Sequence, residues 1–252
     1  MLARKNAHLR DAAIKFYDHF EGREHVYVID GVVDRPISVT TLIKKNFPEF
    51  DTDAVIDRYY DKWQLYGNSK YCGMTKEQIK KSWEDNRVEC ARLGTEMHKA
   101  IEQYLNGELE VEPTTPEFGY FKRFWGEFMA EHPDYEIYRT EWTMYNGKKT
   151  VSGSADAIVS TPDGDIILDW KRSKKIDTAN DFGETGLGAF SHLSNCNYNH
   201  YCIQLNCYKY ILEHWYGRKV KGMYFLVFHP DNESYLIYEV PSVQELVAPL
   251  LD

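Results

Sequence analysis

From Tyr135 to Lys171 the chain runs through three short apolar stretches, and each break between them carries a turn signal. Tyr135–Met144 alternates apolar and polar residues and ends at Asn146-Gly147, a dipeptide suited to a tight hairpin. Val151–Ser160 ends at Pro162-Asp163-Gly164-Asp165, where Pro presets the turn and Gly accepts a positive φ. Ile166–Asp169 is apolar without alternation, as a strand covered on both faces is. Strands joined this tightly lie side by side, so this segment commits the chain to a sheet. Its flanks commit it to layers. Phe121, Phe124, Trp125 and Phe128 predict a helix over about Glu117–Ala130, ended by His132-Pro133-Asp134. A second helix over 201–216 stops at Gly217, and Met223–His229 and Ser234–Val240 follow as two strands before a short closing helix. The order predicts an α/β (α+β) fold with a central mixed β-sheet flanked by helices.

Ahead of this core, Leu9, Ala13, Phe16 and Phe20 at helical spacing predict a helix over residues 2–20. Residues 25–39 read as a hairpin about Asp30-Gly31 whose second strand reaches Ile37. Ser38 or Thr40 can then cap a helix through Leu42 and Ile43. Residues 51–105 read as mostly helical, punctuated by Gly67 and Gly73, with Thr75 and Gln78 spaced as a capping box. Residues 177–200 hold three Gly and little periodicity, which predicts a long, mobile loop. The expected division is a mainly helical N-terminal region with a hairpin, 1–90, and a core over 91–252.

The net charge of −9 counts against a protein that coats nucleic acid by charge alone. It is compatible with one that reaches phosphate through a bound cation, because the cation reverses the local field. Of the 19 Tyr and six Trp, the exposed rings suit stacking on unpaired bases, and helix packing is the ordinary use for Trp63, Tyr66, Tyr71 and Trp83. The five Cys are odd in number and follow no framework, so they read as reduced thiols of an intracellular protein, with no iron–sulfur cluster expected. No apolar run approaches the ~20 residues of a membrane span. Nor is there an apolar stretch behind Arg4, Lys5 and Arg10 to make a secretory signal.

The chemistry gathers in Gly153-Ser154-Ala155-Asp156 and Ile166-Ile167-Leu168-Asp169-Trp170-Lys171. Asp169 and Lys171 are two apart on one strand and share a face, and the turn between the strands brings Asp156 beside Asp169. Two close carboxylates repel, and a hard divalent cation relieves that; magnesium prefers such oxygen donors, and manganese can substitute. The cation would polarise a phosphoryl oxygen, while Lys171 orients the attacking water and offsets charge on the phosphate. Asp-x-Lys alone is common as an exposed ion pair at a strand end. The apolar run leading into it and the Gly-x-x-Asp strand before it are rarer together.

These residues resemble the core motif of the PD-(D/E)xK nucleases. Gly94-Thr95-Glu96-Met97-His98 resembles the Gly-x-x-x-His helix motif of the RecB-like branch, and Gln204-Leu205-Asn206-Cys207-Tyr208 resembles its Gln-x-x-x-Tyr motif, all in the expected order over residues 92–212. Asp169-Trp170-Lys171-x-Ser173, with Ser38-Val39-Thr40 upstream, is most similar to the mitochondrial genome maintenance exonuclease type. The resemblance implies a restriction-endonuclease-like core and a magnesium-dependent deoxyribonuclease. It implies Asp156, Asp169 and Lys171 as catalytic residues, and His98, Asp156, Asp169 and the Trp170 backbone carbonyl as metal ligands. Gln204 and Tyr208 would contact DNA or support the site. Where relatives often carry Thr after the catalytic Lys, this chain has Arg172, either a phosphate contact or a solvated charge. Ser173, Lys174 and Lys175 extend that segment, and Lys80, Lys81, Arg87 and Arg92 form a second basic group that reads rather as a solvated face. Glu141 reads equally as a third acidic group of the site or as an edge-strand charge. Glu102, one turn after His98, reads as a supporting or surface residue.

The implied activity is exonucleolytic hydrolysis of single-stranded or flap DNA to 5′-phosphate and 3′-hydroxyl products, beside replication or repair proteins. A structure- or sequence-specific endonuclease on the same core, and a catalytically silent nucleic-acid-binding protein, are the alternatives.

Overall fold

The computed structural model describes residues 2–7, 11–20, 23–31, 36–67 and 69–252. Helix α1 (Leu2–Lys5) precedes the strands β1 (Ile14–Phe20) and β2 (Arg23–Ile29), and β3 (Ile37–Ser38) leads into α2 (Val39–Lys44). Helices α3 (Thr52–Leu65), α4 (Lys76–Asn106) and α5 (Pro116–Glu131) follow. The meander β4 (Glu136–Tyr145), β5 (Val151–Thr161) and β6 (Gly164–Lys171) comes next, then α6 (Asn197–Trp215), β7 (Val220–Val227), β8 (Leu236–Glu239) and α7 (Gln244–Leu251).

The sheet is mixed, as the element order predicts: β5 is antiparallel to both β4 and β6, β6 and β7 are parallel, and β8 returns antiparallel to β7. The parallel β6–β7 step needs a crossover, which α6 supplies. Both faces of the sheet are covered. Ile158, Ile167, Phe225 and Val227 pack with α2, α6 and α7, while Ala157, Val159, Leu168 and Phe228 pack with α5 and with Met97, Ala100 and Ile101 of α4. That double coverage explains the continuous apolar run of β6, which shows no alternation.

The N-terminal expectations need correction. Among the described residues, the predicted helix over 2–20 is helical over Leu2–Lys5 and as a single 3₁₀ turn over Asp11–Ala13, and Ile14–Phe20 is a strand. Its partner is Arg23–Ile29, so the strand ahead of Asp30-Gly31 pairs with the chain before it and not with the chain after it. Ala13, Phe16 and Phe20 satisfy a helical period by chance; Ile14 instead is buried with Tyr27 and Ile29 against Tyr145. Leu9 and residues 32–35 lie outside the described residues. Asp30 and Gly31 do turn, with φ of 54° and 75°. Ile37–Ser38, however, pairs parallel with Val151–Ser152 rather than with β2.

Local signals fare better. Ser38 caps α2, its hydroxyl accepting from the Thr41 amide at 3.0 Å. Thr75 and Gln78 make the reciprocal capping box, at 2.8 and 3.2 Å.

Two compact units result. One comprises residues 1–48 and 97–252, the other residues 49–96, so the first 48 residues belong with the sheet and the expected 1–90 boundary does not describe the molecule. The division falls inside α4, between Glu96 and Met97. Residues 177–200 are not a featureless loop. Thr185 bridges Ser194, the Asn180 amide donates to the Ser194 hydroxyl at 2.7 Å, and Leu187 N donates to Asn46 O at 2.8 Å. Helix α6 begins within this range, at Asn197. Among the described residues no helix is long and apolar enough to cross a membrane.

Candidate metal centre

The site lies where two strands part. The β5–β6 ladder ends at Ala157–Leu168, whereas β6 stays paired with β7 through Lys171–Val227. On the β6 edge of β5 the next pairing is with β3 at Val151–Ser152, which leaves residues 153–156 without a strand neighbour there. A side chain takes over from the ladder: Asp156 Oδ2 accepts the Trp170 amide at 2.7 Å. Asp156 and Asp169 are the first residues beyond the last pair, one on each side of the fork.

Three ligand atoms meet at this point. His98 Nδ1 is 3.5 Å from Asp156 Oδ2 and 3.7 Å from Glu141 Oε1, and the His98, Glu141 and Asp156 ligand atoms all lie within 4.8 Å of one another. His98 arrives on α4 and Glu141 on β4. Glu141 holds φ at 44°, an unusual backbone conformation for a non-glycine residue, of the kind that costs about 1 kcal/mol or more and persists where the surroundings impose it. Ser154 Oγ donates to the other Glu141 oxygen at 3.4 Å.

Beside this trio lies a second group. Lys171 Nζ sits 2.6 Å from Asp169 Oδ2 and donates to Gln204 Oε1 at 3.0 Å, and Gln204 Nε2 donates to the Tyr208 hydroxyl at 2.9 Å. The Asp169 contact is a close, buried ion pair. Gln204 and Tyr208 are four apart on α6, which is why one amide can link lysine and tyrosine. Gly153 makes room for this: a Cβ there would lie 2.6 Å from the Tyr208 ring and 3.2 Å from Val39 Cγ2.

The charges respond to burial and to each other. Burial pushes the Glu141 carboxyl up to about 7, the nearby Asp156 charge adding to it against the pull of His98. Burial likewise pushes Asp169 up to about 6, opposed by Lys171. For Asp156 burial acts the same way, but His98, Lys171 and the Trp170 amide outweigh it and hold the carboxyl below its usual range. His98 resists burial through Asp156 and Glu141, which raise it well above the ordinary imidazole value. Lys171 is raised by Asp169 and Asp156 despite its burial. In this state the imidazolium and the ammonium are the cations between the carboxylates. A divalent ion would take over the role of the imidazolium, releasing its proton.

The donor set fits such an ion: carboxylate oxygens from Glu141 and Asp156 and one imidazole nitrogen suit magnesium or manganese. The sequence reading names His98 and Asp156 as ligands, and the structure brings them together. Of the two readings of Glu141, it places the residue in the trio as an acidic group of the site, and it sets Asp169 against Lys171 rather than within the trio. The Trp170 ring is buried among Phe121, Phe124 and Phe228, and its amide serves the site by donating to Asp156.

The segment after Lys171 is occupied elsewhere. Arg172 Nε pairs with Glu117 Oε1 at 2.8 Å, both side chains about one-tenth exposed, so Arg172 ties α5 to the end of β6 and is not an available phosphate contact. Ser173 Oγ donates to Lys175 O at 2.9 Å, Lys174 pairs with Asp231 at 2.6 Å, and Lys175 pairs with Asp177. In residues 49–96, Lys80 pairs with Asp53, Arg87 with Glu84, and Arg92 with Glu89 and Glu96.

Sequence reasoning missed Tyr201, whose ring faces Lys171 Nζ at 4.5 Å from its centroid. The signal was present, since Tyr201 precedes Gln204 by three residues and Tyr208 by seven on the same helical face.

No protein-family model matches this chain, and no curated protein matches it. Among solved structures, the chain is similar to one described as the crystal structure of SSO0001, at 15% identity and a TM-score of 0.34, covering 85% of this chain and 74% of that one.

Proposed function

We propose that the chain is a divalent-metal-dependent nuclease of the PD-(D/E)xK type, a DNA exonuclease that acts on single-stranded or flap ends and leaves 5′-phosphate and 3′-hydroxyl products. One observation supports this reading above the others: the His98–Glu141–Asp156 trio stands next to the Asp169–Lys171–Gln204 group at one fork in the sheet. His98, Glu141 and Asp156 would hold the cation, with Asp169 beside them. When bound, the cation supplies a Lewis acid for the phosphoryl oxygen and lowers the pKa of water.

The protein's own groups do the rest. Lys171 is a buried ammonium whose direction Asp169 and Gln204 set, so it can orient an attacking water and meet negative charge developing on the phosphate. Asp169, raised to about 6 by burial, stands within proton-transfer distance of that ammonium. Tyr208 locks Gln204, and Gly153 admits Tyr208.

The test is cleavage of end-labelled linear single-stranded, flap and duplex DNA beside closed circles, each with magnesium, manganese or chelator. Linear and flap single strands should be shortened with either metal and left whole with chelator. Cutting of closed circles at the same rate transfers the assignment to an endonuclease on the same core. Binding without cutting under every condition removes the enzyme reading.

A further inference from the structure

We propose that Tyr201 is a positioning residue for Lys171: its ring faces the ammonium and, together with Asp169 and Gln204, fixes where Nζ lies, so that an N–H stays directed at the water or phosphate. This inference rests on the nuclease reading for its kinetic consequence, but not for the contact itself.

A lysine ammonium has three donors on a flexible four-carbon stem, and its direction is undefined unless neighbouring groups restrict it. Asp169 Oδ2 takes one side at 2.6 Å and Gln204 Oε1 a second at 3.0 Å. The Tyr201 ring also faces the ammonium, its centroid 4.5 Å from Nζ, well inside the ~6 Å reach of a cation–π contact. The ring is itself braced. Tyr201 packs on Phe225 of β7 at 5.4 Å in an edge geometry, and Phe225 stacks on Tyr238 of β8 at 4.8 Å and 10°. The wall behind the lysine therefore belongs to the sheet and does not depend on a loop. Tyr201, Gln204 and Tyr208 form one stripe on α6, so the helix that carries the amide link also carries the ring.

The face of the ring, not its hydroxyl, does this work. Tyr201→Phe should preserve the function and Tyr201→Leu should lose it, although leucine keeps most of the packing on Phe225.

Two measurements test the proposal, both on the full chain. In the first, the Lys171 ε-methylene signals are followed by NMR with ¹³C-labelled lysine and assigned by their loss in Lys171→Met. The wild type and Tyr201→Phe should show the upfield displacement of a group over an aromatic face, and Tyr201→Leu should return it to the ordinary lysine position. In the second, cleavage of labelled single-stranded DNA is measured at saturating magnesium. Tyr201→Leu should lower kcat ten-fold or more with KM within two-fold of wild type, while Tyr201→Phe stays within two-fold on both.

An unshifted Lys171 signal in the wild type, or a Tyr201→Leu kcat equal to wild type, overturns the proposal. So does a Tyr201→Phe enzyme as slow as Tyr201→Leu, which would make the hydroxyl the working group. If the wild type cleaves no DNA, the nuclease reading falls, and the NMR measurement still decides for or against the ring contact. If Tyr201→Leu unfolds, Tyr201→Met serves in its place.

Discussion

The unit of residues 1–48 and 97–252 buries apolar side chains on both faces of a six-stranded sheet, with Trp142, Phe121, Phe225 and Phe228 among those fully enclosed. Residues 49–96 bury only Ile56 and Ile79 among the described residues. Their cohesion comes from an aromatic knot instead: Trp63 lies 4.8 Å from Tyr71 and 6.0 Å from Trp83, and Trp83 Nε1 donates to the Tyr71 hydroxyl at 2.7 Å. Around the knot are exposed ion pairs, each of which adds little to stability. The contrast bears on chemistry. A cluster of half-neutralised carboxylates carries a folding penalty, and the candidate site is found in the unit whose core can offset it.

The sharpest test of that contrast is Lys171→Ala. Cleavage should fall by ~100-fold or more, the scale on which loss of one preorganised donor acts, while the far-ultraviolet dichroism stays that of the wild type. Unchanged cleavage in this variant means that the site is misassigned.

Next in size is Trp63→Ala, which takes a central ring from the aromatic knot and should cost about 3 kcal/mol. Hydrogen exchange should quicken across residues 49–96 and remain slow in β5 and β6. Equal loss of protection in both places would show that the two units open as one, and the comparison would fail.

A pH series sharpens the electrostatic side. Glu141 and Asp169 have folded-state values raised to about 7 and about 6, so the folded protein binds protons more tightly there than the unfolded chain. Stability from these groups is complete below their unfolded values and is lost as pH rises through about 6 to 7. His98, raised by its carboxylate neighbours, acts in the same direction at higher pH. In chelator the thermal midpoint should therefore drop between pH 5 and pH 8, and magnesium or manganese should restore more of it at pH 8 than at pH 5. A midpoint indifferent to the cation at pH 8 counts against a metal site.

Thr75→Ala is the mildest change. It deletes half of a capping box in the helical unit and should cost about 1 kcal/mol, read as a small fall in midpoint with cleavage unaltered.

Legibility followed the range of the interaction. The Thr75–Gln78 box and the Ser38 cap are contacts across three residues, and their residue types announce them. The approach of Asp156 to Asp169 is nearly as local, because one short turn joins their strands. Glu141 is different: its place in the trio depends on a left-handed φ within a strand, which no alternation pattern signals. Arg172 could not be placed from its neighbours either, since Glu117 lies 55 residues away on α5. The strand Ile14–Phe20 was hidden because its aromatic spacing fits two periods at once, and only burial against Tyr145 decides between them.

The parting of β5 and β6 has a practical corollary for anyone wanting an inert form of this protein. Asp156 is at once a candidate ligand and the acceptor of the Trp170 amide, so alanine at 156 would take the partner from a buried N–H and loosen the sheet while removing the charge. Asparagine there keeps an acceptor of the same length. Lys171 carries no such second duty toward the backbone, and Asp169, already raised to about 6, can take up a proton when its partner is gone. On the proposed nuclease reading, complexes with intact DNA are thus better sought with Lys171 variants than with Asp156→Ala.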